Sequence, residues 1–147
     1  MTAIDILKKD HRKVDDLFTQ IESDGSDKQR IFGQIYNELT LHSQAEETFF
    51  YPELELSSET SGDVQHSYKE HQQVKDLLED LSSSDPNAAV WMTRLNELKE
   101  SVQQHVEEEE NELFPKSERV LGQQKLDDIG RKIEQLKKKV TPGFRAA

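Results

Sequence analysis

The 147 residues contain no cysteine. That excludes a disulfide framework, a thiolate metal ligand and an iron–sulfur cluster held by this chain. No apolar run is long enough to span a bilayer, and the N-terminus lacks the pattern of a signal peptide, so a soluble, cytoplasmic protein is expected with no membrane partner. Positive charge is in deficit. Nineteen Lys and Arg stand against thirty Asp and Glu, a formal net charge of −11, which argues against nucleic acid and anionic membranes as partners. No segment alternates apolar and polar residues with period two, so no sheet is expected.

What the chain does have is helical periodicity. Over residues 2–22, Ile4, Leu7, His11, Val14, Phe18 and Ile21 follow at steps of three and four, the seam of a bundle helix. Thr2 with Asp5 marks its start. Ser23 to Ser26 reads as a turn, and Ser26 with Gln29 as a capping box opening the second helix. Its seam is Phe32, Ile35, Leu39, His42, Glu46 and Phe49, and Pro52 is expected to kink or end it. Residues 57–62 connect to a third helix with Val64, Ser67, His71, Val74, Leu78 and Leu81 on its seam. Asp85 as cap and Pro86 at the first turn predict the start of a fourth. Trp91, Leu95, Leu98, Val102, His105, Glu109 and Leu113 form its seam, and Pro115 repeats the place of Pro52. After Gly122 a shorter helix is expected over 123–139, and 141–147 as a flexible tail. The expectation is all-α: an up-down-up-down antiparallel four-helix bundle over 2–119 with a short extra C-terminal helix, together one domain over 1–140.

The chain also repeats itself. His-Ser-Gln-Ala-Glu-Glu-Thr-Phe-Phe-Tyr-Pro at 42–52 returns as His-Val-Glu-Glu-Glu-Glu-Asn-Glu-Leu-Phe-Pro at 105–115. Asp10-His11, with Val14, Asp16 and Leu17, is matched by Glu70-His71, Val74, Asp76 and Leu77. A helical hairpin is therefore used twice, about a pseudo-two-fold axis. Residues i and i+4 share a helix face about 6 Å apart, so His42 points with Glu46 and His105 with Glu109. Six ionisable residues then lie on otherwise apolar seams: His11, His42, Glu46, His71, His105 and Glu109. A buried carboxylate without a partner costs roughly several kcal/mol, and a pair of them repel. One such histidine reads as an ordinary core residue; six in a duplicated pattern call for cations. Imidazole with carboxylate suits iron, manganese, zinc or copper rather than calcium or magnesium. The ligand count fits a binuclear site with two bridging glutamates.

These residues resemble the hemerythrin-like, or HHE cation-binding, family. The resemblance covers about residues 4–118 and rests on His11, on His42-x-x-x-Glu46-Glu47 through Tyr51-Pro52, on Glu70-His71, and on His105-x-x-x-Glu109-Glu110 through Phe114-Pro115. It implies a bundle holding two iron ions bridged by oxo or hydroxo, with manganese or zinc as substitutes. It implies binding of O2 or another small oxidant or diatomic such as peroxide or NO, in oxygen or oxidative-stress handling. The alternatives are an enzyme decomposing hydrogen peroxide or reducing nitric oxide on the same centre, or an iron storage or donor protein. In one respect the chain departs from the oxygen carriers, which place two histidines four residues apart on the third helix. Here Ser67 stands four before His71, and His66 stands five before it, about 140° around the helix. His66 is therefore left out of the ligand set. Glu47 and Glu110 point about 100° from the ligand glutamates and are expected to face solvent. Phe49, Phe50 and Trp91 are expected in the core. Tyr36, Tyr51 and Tyr68 are each able to donate to the site. Every ligand histidine is expected to give its second N–H to a carboxylate or carbonyl.

Overall fold

The computed structural model describes residues 1–140; the tail expected over 141–147 lies outside them. Six α-helices follow in order: α1 (Ala3–Glu22), α2 (Lys28–Ala45), α3 (Tyr51–Glu55), α4 (Ser61–Ser82), α5 (Ala89–Glu108) and α6 (Phe114–Lys139). Short π-helical turns, Glu46–Phe50 and Glu109–Leu113, join α2 to α3 and α5 to α6 without a loop. Among the described residues there is no strand. Helices α1 and α2 form one antiparallel hairpin and α4 and α5 the other, as expected from the repeat.

The caps explain where the helices begin. Thr2 accepts from the Asp5 amide while Asp5 accepts from the Thr2 amide, so two of the orphan N–H groups of α1 are satisfied reciprocally. Asp27, not Ser26, caps α2: its side chain accepts from the Arg30 amide at 3.2 Å. Ser26 Oγ donates backwards to the Ile21 carbonyl and so closes α1 instead. Nor does Asp85 cap α5. It folds a turn, accepting from the Asn87 amide on its side chain and from the Ala88 amide on its carbonyl, and helix begins only at Ala89.

The two prolines do not stop their helices. Proline lacks an N–H and clashes with the carbonyl four residues back. Here the preceding turn is widened: the Tyr51 amide bonds back to Glu46 O and the Phe114 amide to Glu109 O, five residues away. The chain then passes Pro52 as far as Glu55, and passes Pro115 as far as Gly122, whose φ of 78° breaks the helical run inside α6. That break is where the sequence placed the start of the extra helix. The extra residue in each widened turn also shifts the buried face. Phe50 is fully buried and Phe49 only half-buried, the reverse of the order read from the seam.

Two apolar clusters cap the two ends of the bundle. One is built from the far halves of the hairpins, around Phe18, Phe32, Leu95 and Trp91, whose indole N–H donates to the Leu81 carbonyl. The other gathers Ile6, Leu7, Phe50, Tyr51 and Phe114 under Leu126, Ile129 and Ile133 of α6. Between the two clusters lies a belt of buried polar side chains.

Candidate metal centre

All six seam residues singled out by the sequence meet in that belt. His11, His42, His71 and His105 are 6–8 % exposed, Glu109 1 % and Glu46 0 %. Two groups of three bring ligand atoms within 4.8 Å of one another and can each hold a metal ion: His11, His42 and Glu109, and Glu46, His71 and His105. Each glutamate thus reaches across the pseudo-axis. His11 Nε2 is 3.1 Å from Glu109 Oε1, and His71 Nε2 is 3.1 Å from Glu46 Oε1. Within each helix, His42 Nε2 is 3.1 Å from Glu46 and His105 Nε2 is 3.4 Å from Glu109.

The other ring nitrogen of every histidine is held by a carboxylate. His42 Nδ1 donates to Asp10 at 2.9 Å and His105 Nδ1 to Glu70 at 2.8 Å. His11 Nδ1 donates to Glu110 at 2.6 Å and His71 Nδ1 to Glu47 at 2.7 Å. With Nδ1–H engaged, each Nε2 is directed towards the centre, the atom that a metal ion would take in place of a proton. These four acids also obey the repeat: Asp10 and Glu70 precede His11 and His71, and Glu47 and Glu110 follow Glu46 and Glu109. Glu47 and Glu110 were expected to face solvent. They lie at the edge of the belt with one oxygen turned inward. Across the bundle they meet the histidine of another helix, a contact that a single helical wheel does not display.

One break in the duplication lies against the belt histidines. Tyr51 falls where the second repeat has Phe114. The Tyr51 hydroxyl donates to Glu109 Oε2 at 2.6 Å and lies 3.2 Å from His71 Nε2 and 3.4 Å from His105 Nε2. Phe114 instead stacks on His11, ring centroids 5.9 Å apart. Tyr36 spends its hydroxyl on Glu79, and Tyr68 packs edge-on against Tyr51. Of the three tyrosines, then, Tyr51 enters the site. His66, by contrast, stands on the surface between Glu70 and Glu108.

Charge alone leaves the belt unfinished. Neither oxygen of Glu46 nor Nε2 of His42 makes a properly directed hydrogen bond, although all three atoms are buried. Burial opposes charge on His42, His105 and Glu46, but their oppositely charged neighbours win. Burial works against the His42 cation, yet Glu46 and Asp10 push its pKa up to about 10. His105 is raised well above the ordinary 6.5 against burial, chiefly by Glu109. Glu46 is held well below its ordinary value despite complete burial, foremost by His42. Tyr51 is raised well above 10 by burial and by Glu109 and so keeps its proton near neutrality. Inward-facing imidazole nitrogens and acceptor-only oxygens, held together here by protons, are a set that a metal cation would satisfy in the protons' place.

Beside the four histidines sits a small cavity of about 20 Å³, walled in part by Val14, Leu39, Val74 and Val102. That is room for a molecule of one or two heavy atoms, with apolar walls that discourage water. A much larger groove of about 570 Å³ between α2 and α4 reaches only the outer edge of the site, at Glu47 and His71.

A four-helix bundle with a buried belt of histidines and glutamates, each histidine braced by a further acid, defines a cation-binding helical protein. Residues 2–117 match the Hemerythrin HHE cation binding domain, and the chain belongs to that family. A hemerythrin-like protein of Schizosaccharomyces pombe is 34 % identical over 143 residues, which cover 94 % of this chain and 70 % of that one. A Nostoc protein named DNA nickase is also 34 % identical over 143 residues, 95 % of this chain but 40 % of its own length. The chain thus spans less than half of that relative. The crystal structure of a Hemerythrin HHE cation binding domain-containing protein from Mycobacterium kansasii superposes with a TM-score of 0.81. It covers 94 % of this chain and 86 % of the other at 23 % identity, a likeness of fold.

Proposed function

We propose that the belt holds two iron ions, ligated by His11, His42, Glu46, His71, His105 and Glu109, and that the protein binds O2 or another small oxidant or diatomic in oxygen or oxidative-stress handling. The observation carrying this reading is the set of orphaned buried atoms, His42 Nε2 and both oxygens of Glu46, amid four inward-facing imidazoles. His11, His42 and Glu109 would serve one ion, and His71, His105 and Glu46 the other. Bound iron supplies Lewis acidity and redox equivalents. The chain supplies the rest. Asp10, Glu47, Glu70 and Glu110 fix the tautomer and direction of the rings. The valine-walled cavity admits a small neutral molecule and keeps bulk water out. Tyr51 holds a proton 2.6 Å from Glu109, on one side of the site only.

That one-sided proton donor favours a second reading, turnover of hydrogen peroxide or nitric oxide on the same centre. The two readings separate on one preparation. Binding alone gives a stoichiometric spectral change when peroxide is added; turnover consumes peroxide in excess of protein. A centre that does neither contradicts both. The Nostoc name brings DNA to mind for this chain as well, but a formal net charge of −11 opposes contact with a phosphate backbone.

A further inference from the structure

His66, Glu70 and Glu108 place one ligand atom each within 4.8 Å of one another, outside the six-residue belt. His66 Nε2 is 3.3 Å from Glu70 Oε2 and 3.2 Å from Glu108 Oε2. His66 is exposed, whereas Glu70 is only 8 % exposed and turns its other oxygen inward to His105 Nδ1. One carboxylate therefore faces both the surface and the buried centre. Beside this trio is a pocket of about 130 Å³, lined by His66 and Glu108 with Asp63, Ser67 and Glu112 and reaching Glu109, which is 1 % exposed. Lys116 offsets one of these acids, pairing with Asp63 at 2.8 Å.

The repeat supplies an internal control. Carried back by the spacing that relates His71 to His11 and His105 to His42, the positions of Asp63, His66, Ser67, Glu108 and Glu112 are Ala3, Ile6, Leu7, Ala45 and Phe49. In the first hairpin these residues pack in the apolar cluster beneath α6. The same places in the fold are thus sealed and apolar on one side of the centre. On the other they are open, acidic and equipped with an imidazole. A solvated acidic face by itself does not require a histidine between two carboxylates, nor a pocket ending on a buried glutamate.

We propose that His66, Glu70 and Glu108 form a surface site for a divalent transition-metal ion, and that this site passes the ion through the acidic pocket to the buried centre. The donor set of one imidazole and two carboxylates suits zinc, iron(II) or manganese. Glu70, bound to His105, and Glu109, at the pocket floor, are the first groups of the centre that the ion meets. The passage rests on the belt holding metal; the surface site does not.

The test uses the protein as purified, with its central metal counted. Zn2+ is titrated calorimetrically into the wild type, His66→Ala and His66→Lys, and bound metal is counted again afterwards. His66→Lys keeps a cation beside Glu70 and Glu108 but offers no imidazole, so it separates a metal ligand from a charge partner. The wild type is expected to take up one further Zn2+ per chain. Both variants are expected to weaken that step by about tenfold or more, at least the loss that removing a mere outer partner causes, with unchanged central metal. Absence of the further equivalent, or its persistence in either variant, overturns the surface site. Release of central metal to an external chelator is then timed, and slower release from both variants is expected. Equal rates overturn the passage. A chain purified with no central metal also removes the passage, while the titration still decides the surface site.

Discussion

Glu46 concentrates the problem that the centre has to solve. It is wholly buried, carries an orphaned carboxylate and sits among histidines from three other helical segments. On the proposed assignment Glu46→Ala or Glu109→Ala removes a ligand, and most of the metal is expected to be lost on elemental analysis, whereas His66→Ala leaves the central metal in place. The bracing acids act more gently. Asp10→Asn and Glu70→Gln are expected to lower metal affinity by about 10- to 100-fold, read by competition with a chelator. Both substitutions keep the side-chain size. The pKa shifts give a pH test on metal-free protein. The His42 pKa is raised from 6.5 to about 10 in the fold. The stabilisation this represents is complete below pH 6.5 and is lost as pH rises through 10. A bound cation takes the proton's place. The Tm gap between loaded and metal-free protein is therefore expected to widen from pH 7 to pH 10; a constant gap counts against the assignment. The buried polar belt was legible in the sequence because six ionisable residues interrupted apolar seams at helical spacing. The bracing role of Glu47 and Glu110 was not legible. Each is off-seam on its own helix and finds its histidine only through the packing of two others.

At the scale of elements, the widened turns at Glu46–Phe50 and Glu109–Leu113 set the register of α3 and α6. They let the chain pass Pro52 and Pro115 while Tyr51 turns inward to Glu109. Removing one exposed residue, Thr48, would restore ordinary α spacing. Circular dichroism is expected to show a preserved helical content while metal binding falls sharply, because Tyr51 and Phe50 rotate by about 100° relative to Glu46. Thr48→Ala, which keeps the length, is expected to bind metal normally. Periodicity revealed the helices and the buried faces of α1 and α4 correctly, since those helices are regular throughout. It put Phe49 on the seam, although both phenylalanines were expected in the core and Phe50 is the one fully buried, because a constant helical step carries no extra residue. It also misplaced the starts of α2 and α5. Before α2 the adjacent Asp27 takes the capping role from Ser26, and before α5 Asp85 spends its acceptors on a local turn, leaving Ala88 at the cap.

The whole molecule is an approximate two-fold object made asymmetric by α6. That helix covers the first hairpin, where Gly130 lies against the N-terminal backbone so closely that a Cβ there would meet the Met1 carbonyl oxygen at 2.5 Å. Lys137 of α6 also ion-pairs with Asp10, the acid that braces His42, and helps hold that carboxyl below its ordinary pKa. Gly130→Ala is expected to push α6 off the N-terminus and to cost about 1–3 kcal/mol, read as a lowered Tm. The expected all-α bundle is the fold found, and its duplicated hairpins were visible in the sequence. The one-sided covering was not, because the stripe of Leu126, Ile129 and Ile133 shows that α6 packs but not on which hairpin.

The central claim is that the belt is a binuclear iron centre. Its most direct test is metal content by elemental analysis of aerobically purified protein, taken with the ultraviolet-visible spectrum before and after adding peroxide. About two irons per chain, as expected for paired sites in a bundle core, with a charge-transfer band that peroxide alters, is the predicted result. A single zinc per chain, or no metal and no spectral response, would leave the bundle intact and contradict the proposed chemistry.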